Sequence, residues 1–195
     1  MNPHPGPPSS FRLLIRLFPP DRTWIRVHPT KYDPLYFGRT PRNRFDAPAG
    51  EFGVLYAAAD AHGAFVETLG QATGVRFVTI AELRVRELAV IAPRRPLRLV
   101  DLRGEGLARM GADAALTSGV DYDLSRRWSR EIHDHPRMPD GIVYRARHDP
   151  SRTCAAIFDR AETDLTAKRF GTFDAKAHRG LLADILETYK FGLIP

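Results

Sequence analysis

The alternation of apolar and polar residues predicts short strands along most of the chain. The segment from Trp24 to His28 alternates between the two classes, and the segment 51–58 is rich enough in apolar residues for a buried strand. A turn is predicted at Asp149-Pro150-Ser151, with a strand on each side of it. The further predicted strands are 76–80, 87–92, 97–101, 141–145 and 153–158. This density of short strands indicates that a sheet forms the body of the protein.

A periodicity of about 3.6 residues predicts helices between and after these strands. Asp60 is a candidate N-cap for a helix that presents Ala61, Phe65 and Leu69 on one side and ends at Gly70 to Gly74. Segment 81–84 is predicted as a turn or short helix. The other predicted helices are 107–112, 125–134 with Ser125 as its cap, and an amphipathic helix at 174–190. Short strands with interspersed helices are typical of a compact α+β domain.

The bulk composition is that of a globular protein with one core. The chain has 195 residues, of which 43% are hydrophobic and 27% charged. No window approaches the length of an uninterrupted apolar membrane span, and the proline-rich residues 1–10 lack the apolar stretch of a secretory signal. The single cysteine, Cys154, excludes an intramolecular disulfide. We therefore expect a disordered start, no membrane span and a cytoplasmic location.

The net charge of +6 and the pI of about 9.8 allow several kinds of partner. A basic protein can bind nucleic acid, an acidic protein or an anionic small molecule, or it can simply have an arginine-rich composition. The arginines are scattered, and no basic stripe interleaved with aromatic residues stands out, which disfavours direct nucleic-acid binding. The absence of a G-x-G-x-x-G or P-loop pattern leaves a Rossmann or Walker-type site unsupported.

Three arginines in the first fifty residues are candidate ligands for phosphate. Arg26 lies between two apolar residues of a predicted strand, and Arg44 directly precedes Phe45. Close to apolar packing, a guanidinium needs an anionic or polar partner, and arginine is well shaped to hold a pyrophosphate. Arg39 lies in the same loop as Arg44. The alternative for each is an ordinary charge that faces solvent.

Tyr56 and Glu67 are the candidates for chemistry on a bound nucleotide. Tyr56 ends a predicted strand, where it is either a core tyrosine or a ring that stacks on nicotinamide or adenine. Glu67 follows on the next helix beside apolar residues. It is either a surface glutamate or a carboxylate that orients a ribose hydroxyl and stabilises the positive charge that grows on the anomeric carbon.

Two other groups carry weaker signals. His133 and His135 lie two residues apart, a spacing that does not place both rings on one helix face, so a loop or cap role is favoured over a metal site. Cys154 lies in an apolar strand, which favours an inert core thiol over a nucleophile. We therefore expect neither a metal ion nor a prosthetic group.

Taken in order along the chain, these residues resemble the RES domain family of toxin-like, NAD-consuming proteins, which often pair with an Xre-type antitoxin. The resemblance rests on Trp24-Ile25-Arg26, Arg44-Phe45, Tyr56 and Glu67, and it covers roughly residues 22–160. Segments 36–46 and 140–148 are similar to one RES subgroup in detail. The resemblance implies an ADP-ribosyltransferase-like fold with a split, mostly antiparallel sheet flanked by helices, and NAD in a cleft beside it.

The resemblance also implies the roles of individual residues. The catalytic residues would be Glu67, Tyr56 and Arg26, and the residues that bind NAD would be Arg26, Arg39, Arg44, Tyr56 and Arg145. NAD would be the substrate, and the nicotinamide–ribose bond would be cleaved by a glycohydrolase, phosphorylase or ADP-ribosyltransferase reaction. The expected partners are NAD and an antitoxin.

The resemblance divides the chain into three parts and leaves one question about activity. Residues 1–20 would be a disordered or extended arm, 21–170 the RES domain, and 171–195 a C-terminal amphipathic helix that packs on the domain or on a second copy in a homodimer. Many RES proteins carry an active-site serine where Ala146 stands here, and Ser151 is a weak substitute. The alternative function is therefore a catalytically weakened module that binds NAD or an antitoxin without turnover.

Overall fold

The computed structural model describes residue 7, residues 11–72 and residues 74–195. Most of the segment that we expect to be disordered, 1–10, therefore lies outside the described residues. The strands are β1 (Ile15–Phe18), β2 (Trp24–Pro29), β3 (Val54–Ala58), β4 (Phe77–Thr79), β5 (Arg86–Pro93), β6 (Leu97–Asp101), β7 (Gly141–Arg145), β8 (Thr153–Phe158), β9 (Leu165–Thr172) and β10 (Gly192–Ile194). The helices are α1 (Ala61–Leu69), α2 (Ile80–Arg84), α3 (Glu105–Met110), α4 (Ala115–Ser118), α5 (Tyr122–His133) and α6 (Arg179–Tyr189), and 3-10 turns cover Asp159–Asp164 and Lys176–His178.

A mostly antiparallel sheet forms the body of the protein. In the described part of the chain it has eight strands in the order β1-β6-β7-β8-β3-β2-β5-β9. Its neighbouring strands run antiparallel except β6 and β7, which are parallel, and β4 and β10 form a separate parallel pair. Helices flank the sheet. The predicted fold class, a single α+β domain with a mostly antiparallel sheet, is confirmed.

The sheet opens between its two central strands. β2 pairs with β5 along its whole length and β3 pairs with β8 along its whole length, yet β2 and β3 meet only at Ile25 and Ala58. Beyond this pair the two strands separate, because each follows its other neighbour. The opening is the structural basis of the predicted split sheet, and the residues beside it line the cavity described below.

The core covers both faces of the sheet. On one face, α1 and the C-terminal region bury Phe65 against Phe173 and Phe191, with ring centroids 5.5 and 5.9 Å apart. On the other face, Trp24 and Leu55 lie in a second cluster and are fully buried. Burying one such large apolar side chain stabilises a fold by about 1.5–3 kcal/mol. The strands and α1 therefore form a firm support for the side chains that they carry.

Aspartate N-caps fix where α1 and α5 begin, and α5 begins earlier than predicted. The carboxylate of Asp60 accepts a hydrogen bond from the Gly63 amide at 2.8 Å, so the predicted N-cap of α1 is confirmed. Helix α5, however, begins at Tyr122 and is capped by Asp121. The predicted cap, Ser125, is buried inside the helix, and its hydroxyl donates to the Leu116 carbonyl at 2.7 Å. The prediction of Ser125 as the cap was therefore wrong, because its hydroxyl binds the Leu116 carbonyl and not the amides of the first helical turn.

The two ends of the described chain join the same body. β1 lies within the segment 1–20 that we expected to be an arm, and it pairs with β6 at the edge of the sheet. Helix α6 starts at Arg179, later than the predicted residue 174, and buries Leu182 and Ile185 against the domain. β9, which no sequence pattern predicted, is the opposite edge strand. None of the helices in the described ranges has the length and apolar character that crossing a membrane requires.

Candidate active site

A cavity of about 280 Å³ lies beside the opening between β2 and β3. Four of the predicted site residues, Arg26, Arg44, Tyr56 and Glu67, line it together. They come from β2, the loop before β3, β3 itself and α1, so elements that are distant along the chain converge on one hollow. The charged or titratable polar groups of its lining also include Arg42, Arg147 and His148.

Glu67 is held on the wall of the cavity by backbone amides. Its Oε1 accepts hydrogen bonds from the Arg147 amide at 2.8 Å and from the His148 amide at 3.3 Å. The side chain is half-buried, and among the described residues no hydrogen bond to its Oε2 occurs. Because α1 is capped at Asp60 and packed through Phe65, the carboxylate has a fixed position with one oxygen available to a ligand.

Arg26 is a partly buried cation at the opening of the sheet. Its Nη1 donates to the Tyr36 carbonyl at 3.0 Å. Burial lowers the pKa of Arg26 to about 10, partly offset by the nearby Asp33. The guanidinium is therefore still charged at neutral pH, and its hydrogen-bonded partner is a neutral carbonyl. An anionic ligand would compensate the cost of this burial.

Arg44 is more deeply buried, with 7% of its surface exposed. Its Nη1 donates to the Gly119 carbonyl at 2.9 Å, and its guanidinium lies 4.7 Å from the centroid of the Tyr122 ring. Burial lowers the pKa of Arg44, and the neighbouring Arg147 acts in the same direction. The Gly119 carbonyl and the Tyr122 ring fix the orientation of the guanidinium, and most of its N–H groups remain available to another acceptor.

Tyr56 contributes its ring to the cavity, but its hydroxyl is bonded within the protein. The hydroxyl donates to Asp46 Oδ1 at 2.9 Å and accepts from the Phe45 amide at 2.9 Å. Burial, with the carboxylate of Asp46 as a second cause, raises the pKa of Tyr56 well above 10, so the phenol stays protonated. Of the two readings open from the sequence, this geometry is that of a hydrogen-bonded core tyrosine with one face on the cavity.

The structure places the other two predicted ligands outside the cavity. Arg39 forms an ion pair with Asp159, in the 3-10 turn after β8, and donates to the Glu51 carbonyl at 3.0 Å. Arg145, at the end of β7, is exposed and donates to the Ser151 carbonyl at 3.1 Å. Side chains alternate along a strand, so Tyr144 lines the cavity while Arg145 points away. Arg39 and Arg145 therefore do not line the cavity together with Arg26.

Among the lining residues that the sequence did not predict are Arg42, Tyr122, Arg147 and His148. Arg147 and His148 follow β7 in a segment that resembles the family in sequence. The sequence could not show that their backbone amides bind Glu67. Burial lowers the pKa of His148, and the adjacent Arg147 adds to this effect. Arg42 lies two residues before Arg44 in the same arginine-rich loop, and this position was the signal that could have identified it. Tyr122 gave no signal, because its contact with Arg44 spans a long separation along the chain.

The remaining candidates lie in ordinary structural environments. Ala146, which the resemblance aligns with a serine, is 1% exposed and packs in the core, not in the lining of the cavity. His133 stacks on Phe52 with centroids 4.0 Å apart, and no group of three or more potential metal ligands occurs among the described residues. Cys154 lies at the cavity floor, where burial raises the pKa of its thiol and keeps it protonated.

Comparison with known proteins agrees with this architecture. A relative from Sinorhizobium fredii (strain NBRC 101917 / NGR234), described as probable toxin y4kH, is 32% identical over 117 residues, which are 60% of this chain and 90% of the relative. A chain in the crystal structure of the M.tuberculosis MbcT–MbcA toxin–antitoxin complex matches with a TM-score of 0.63 and 16% identity, over 87% of this chain and 92% of that one. The RES domain model matches residues 16–177, and the chain therefore belongs to the RES domain family.

Proposed function

We propose that this RES-domain protein is the toxin of a toxin–antitoxin pair and that it consumes NAD by cleaving the nicotinamide–ribose bond. The observation that carries the proposal is the charge of the cavity. Among the described residues that line it, four arginines and a histidine surround one carboxylate, Glu67. Such a cavity attracts an anionic ligand and offers it a single negative group for a developing positive charge.

The arginines supply binding. Arg44 is buried and Arg26 is partly buried, and a guanidinium that is shielded from water interacts more strongly with a phosphate than a fully hydrated one does. Arg44 already has its fork oriented by Gly119 and Tyr122. Two arginines that line one cavity suit the pyrophosphate of a dinucleotide, in which two charged groups are linked.

Glu67 supplies catalysis. Loss of nicotinamide leaves positive charge on the anomeric carbon and the ring oxygen of the ribose. A carboxylate held by two backbone amides keeps its position while that charge develops, and its Oε2 can accept a hydrogen bond from a ribose hydroxyl. The released nicotinamide is neutral, so the leaving group requires no proton.

Three acceptors for the ribosyl group are compatible with this chemistry. Water would give ADP-ribose, inorganic phosphate would give a phosphorylated ADP-ribose, and a protein side chain would give an ADP-ribosylated protein. The reaction itself needs neither a metal ion nor a prosthetic group, because NAD carries its own leaving group.

The direct experiment is incubation of the pure protein with NAD, with and without phosphate, while free nicotinamide is measured. A parallel incubation with labelled NAD and a cell lysate detects transfer to protein. We expect nicotinamide release in at least one condition. No release with water or phosphate, together with no labelling of the lysate, would contradict the proposal.

A second candidate function is nucleotide binding without turnover, and Ala146 is the residue that favours it. Where many family members have a serine hydroxyl, this chain has a methyl group that packs in the core. Calorimetry separates the two functions: binding of NAD with no nicotinamide release in any condition would support the second.

The proposed partner is an antitoxin, of the Xre type by family resemblance. A partner that covers the cavity or holds the loop from Pro29 to Arg44 would block access of NAD. Expression of the chain alone should arrest growth, and co-expression of the neighbouring gene product should restore it. Growth arrest that persists with an inactive Glu67→Gln variant would count against NAD consumption as its cause.

A further inference from the structure

We propose that Tyr56 is a positioning residue, which acts together with Asp46 to hold the loop that presents Arg44 to a phosphate. We call residues 42–46, Arg42-Asn43-Arg44-Phe45-Asp46, the arginine loop. The inference deepens the proposed function and rests on it for the identity of the ligand. It assigns a role to Asp46, a residue that does not itself line the cavity.

Asp46 is the centre of the arginine loop. It is 1% exposed, and its Oδ2 accepts from the amides of Arg42 and Asn43 at 2.9 and 2.6 Å. A buried carboxylate is costly unless hydrogen bonds satisfy it. By accepting from these amides, Asp46 curls the loop back on itself, and Arg44, which lies inside the curl, lines the cavity.

Tyr56 ties this curled loop to the sheet. Its hydroxyl donates to Asp46 Oδ1 and accepts from the Phe45 amide, so its donor and an acceptor position are both in use. Since Tyr56 lies on β3, which is paired along its length with β8, the loop is held against a rigid strand. A phenol that donates to a buried carboxylate would have to break that bond before it could donate to a substrate.

The anchors lie on both sides of Arg44. Asn43 is bonded to Asp46 through its amide, and Phe45 is fully buried with its carbonyl accepting from the Ser129 hydroxyl at 2.7 Å. The backbone of Arg44 is therefore held on both sides, and the Gly119 carbonyl and the Tyr122 ring orient its guanidinium. Loss of the Tyr56–Asp46 hydrogen bond should loosen phosphate binding while leaving Glu67 unchanged.

The test compares Tyr56→Phe, Asp46→Asn and the double variant on two substrates. NAD carries the phosphates, whereas nicotinamide riboside has the same scissile bond without them. For NAD we expect each variant to raise KM about tenfold, the size of one lost charge-assisted hydrogen bond, with kcat within about twofold. For nicotinamide riboside, kcat/KM should stay unchanged. The double variant should have a KM for NAD no higher than that of the more impaired single variant, because both changes break the same hydrogen-bonded pair.

A matched control is Tyr189→Phe. This change removes another tyrosine hydroxyl that donates to an aspartate, Asp149, at 2.8 Å, outside the cavity lining. It should leave KM for NAD unchanged. The inference is overturned if Tyr56→Phe lowers kcat on both substrates without changing KM, since the phenol would then take part in the chemistry. Full additivity of the two single changes would overturn it as well.

A measurement that needs no turnover keeps the inference separate from the proposed function. Hydrogen exchange of the amides of residues 42–46 reports the loop directly. Inorganic pyrophosphate should slow exchange there in the wild type, and the Tyr56→Phe and Asp46→Asn variants should exchange faster and lose this protection. A wild type that releases no nicotinamide would sink the proposed function alone. Equal protection of the loop in the wild type and in both variants would overturn the inference.

Discussion

Replacement of Arg44 by alanine should weaken the binding of NAD strongly and the stability of the fold only slightly. Arg44 is 7% exposed and faces the cavity, so a phosphate bound there is shielded from water. A hydrogen bond to a charged group in such a position is worth about 1.5–3 kcal/mol, which corresponds to a Kd raised about 10- to 150-fold.

The effect on stability follows from the same contacts. Alanine removes the hydrogen bond to the Gly119 carbonyl and the contact with the Tyr122 ring, and the ring contact is worth about 0.5–1 kcal/mol. It also removes a charge whose burial lowers its pKa and therefore costs free energy. These terms oppose each other, so we expect the free energy of unfolding to change by less than about 2 kcal/mol.

The assay is calorimetric titration with NAD in a Glu67→Gln background, where the ligand is not consumed. Arg39→Ala is the matched control, because Arg39 comes from the same stretch of chain but pairs with Asp159 outside the cavity. Differential scanning calorimetry monitors folding of each variant. If Arg44→Ala binds NAD within twofold of the parent while Arg39→Ala binds it weakly, our assignment of the cavity is refuted.

Three further predictions concern stability. Phe65→Ala should lower the free energy of unfolding by about 3–5 kcal/mol, because its fully buried ring packs on two phenylalanines; a urea titration that gives less than about 1 kcal/mol would contradict this. Asp60→Ala should cost about 1 kcal/mol in the same titration through loss of the cap on α1, and no loss would argue against that cap. Burial lowers the pKa of His28 below 6.5, so on acidification the unfolded state takes up a proton before the folded state does, and the free energy of unfolding should fall from pH 7 to pH 5. His28→Gln should make this dependence on pH weaker. An unchanged dependence on pH in the variant would show that His28 is not its cause.

The sequence predicted elements best where the signal is local. The predicted segments 97–101, 141–145 and 153–158 coincide with β6, β7 and β8, because each is apolar and bounded by turn residues. The sequence did not predict β9, because β9 is an edge strand with exposed polar residues and is a strand only through its pairing with β5. A glycine with positive φ, Gly171, next to the register shift in that pairing further obscured its pattern.

The sequence predicted some of the residues that line the cavity, and it predicted their roles less well. Arg26 and Arg44 stood out because each adjoins apolar residues in the sequence. Arg39 was a candidate because it lies in the same loop as Arg44, but its side chain pairs with Asp159, which lies far along the chain. The hydrogen bond between Tyr56 and Asp46 is likewise a tertiary contact, so no local pattern could distinguish a catalytic phenol from a positioning one.

The most direct test of NAD cleavage at this cavity is the rate of nicotinamide release by the wild type and by Glu67→Gln at saturating NAD. Glutamine retains an oxygen for the amides of Arg147 and His148, so the variant should fold and bind NAD normally. We predict a loss of at least about 100-fold in kcat, the scale on which removal of one stabilising group acts in enzymes. Release by the variant at the wild-type rate would contradict the account.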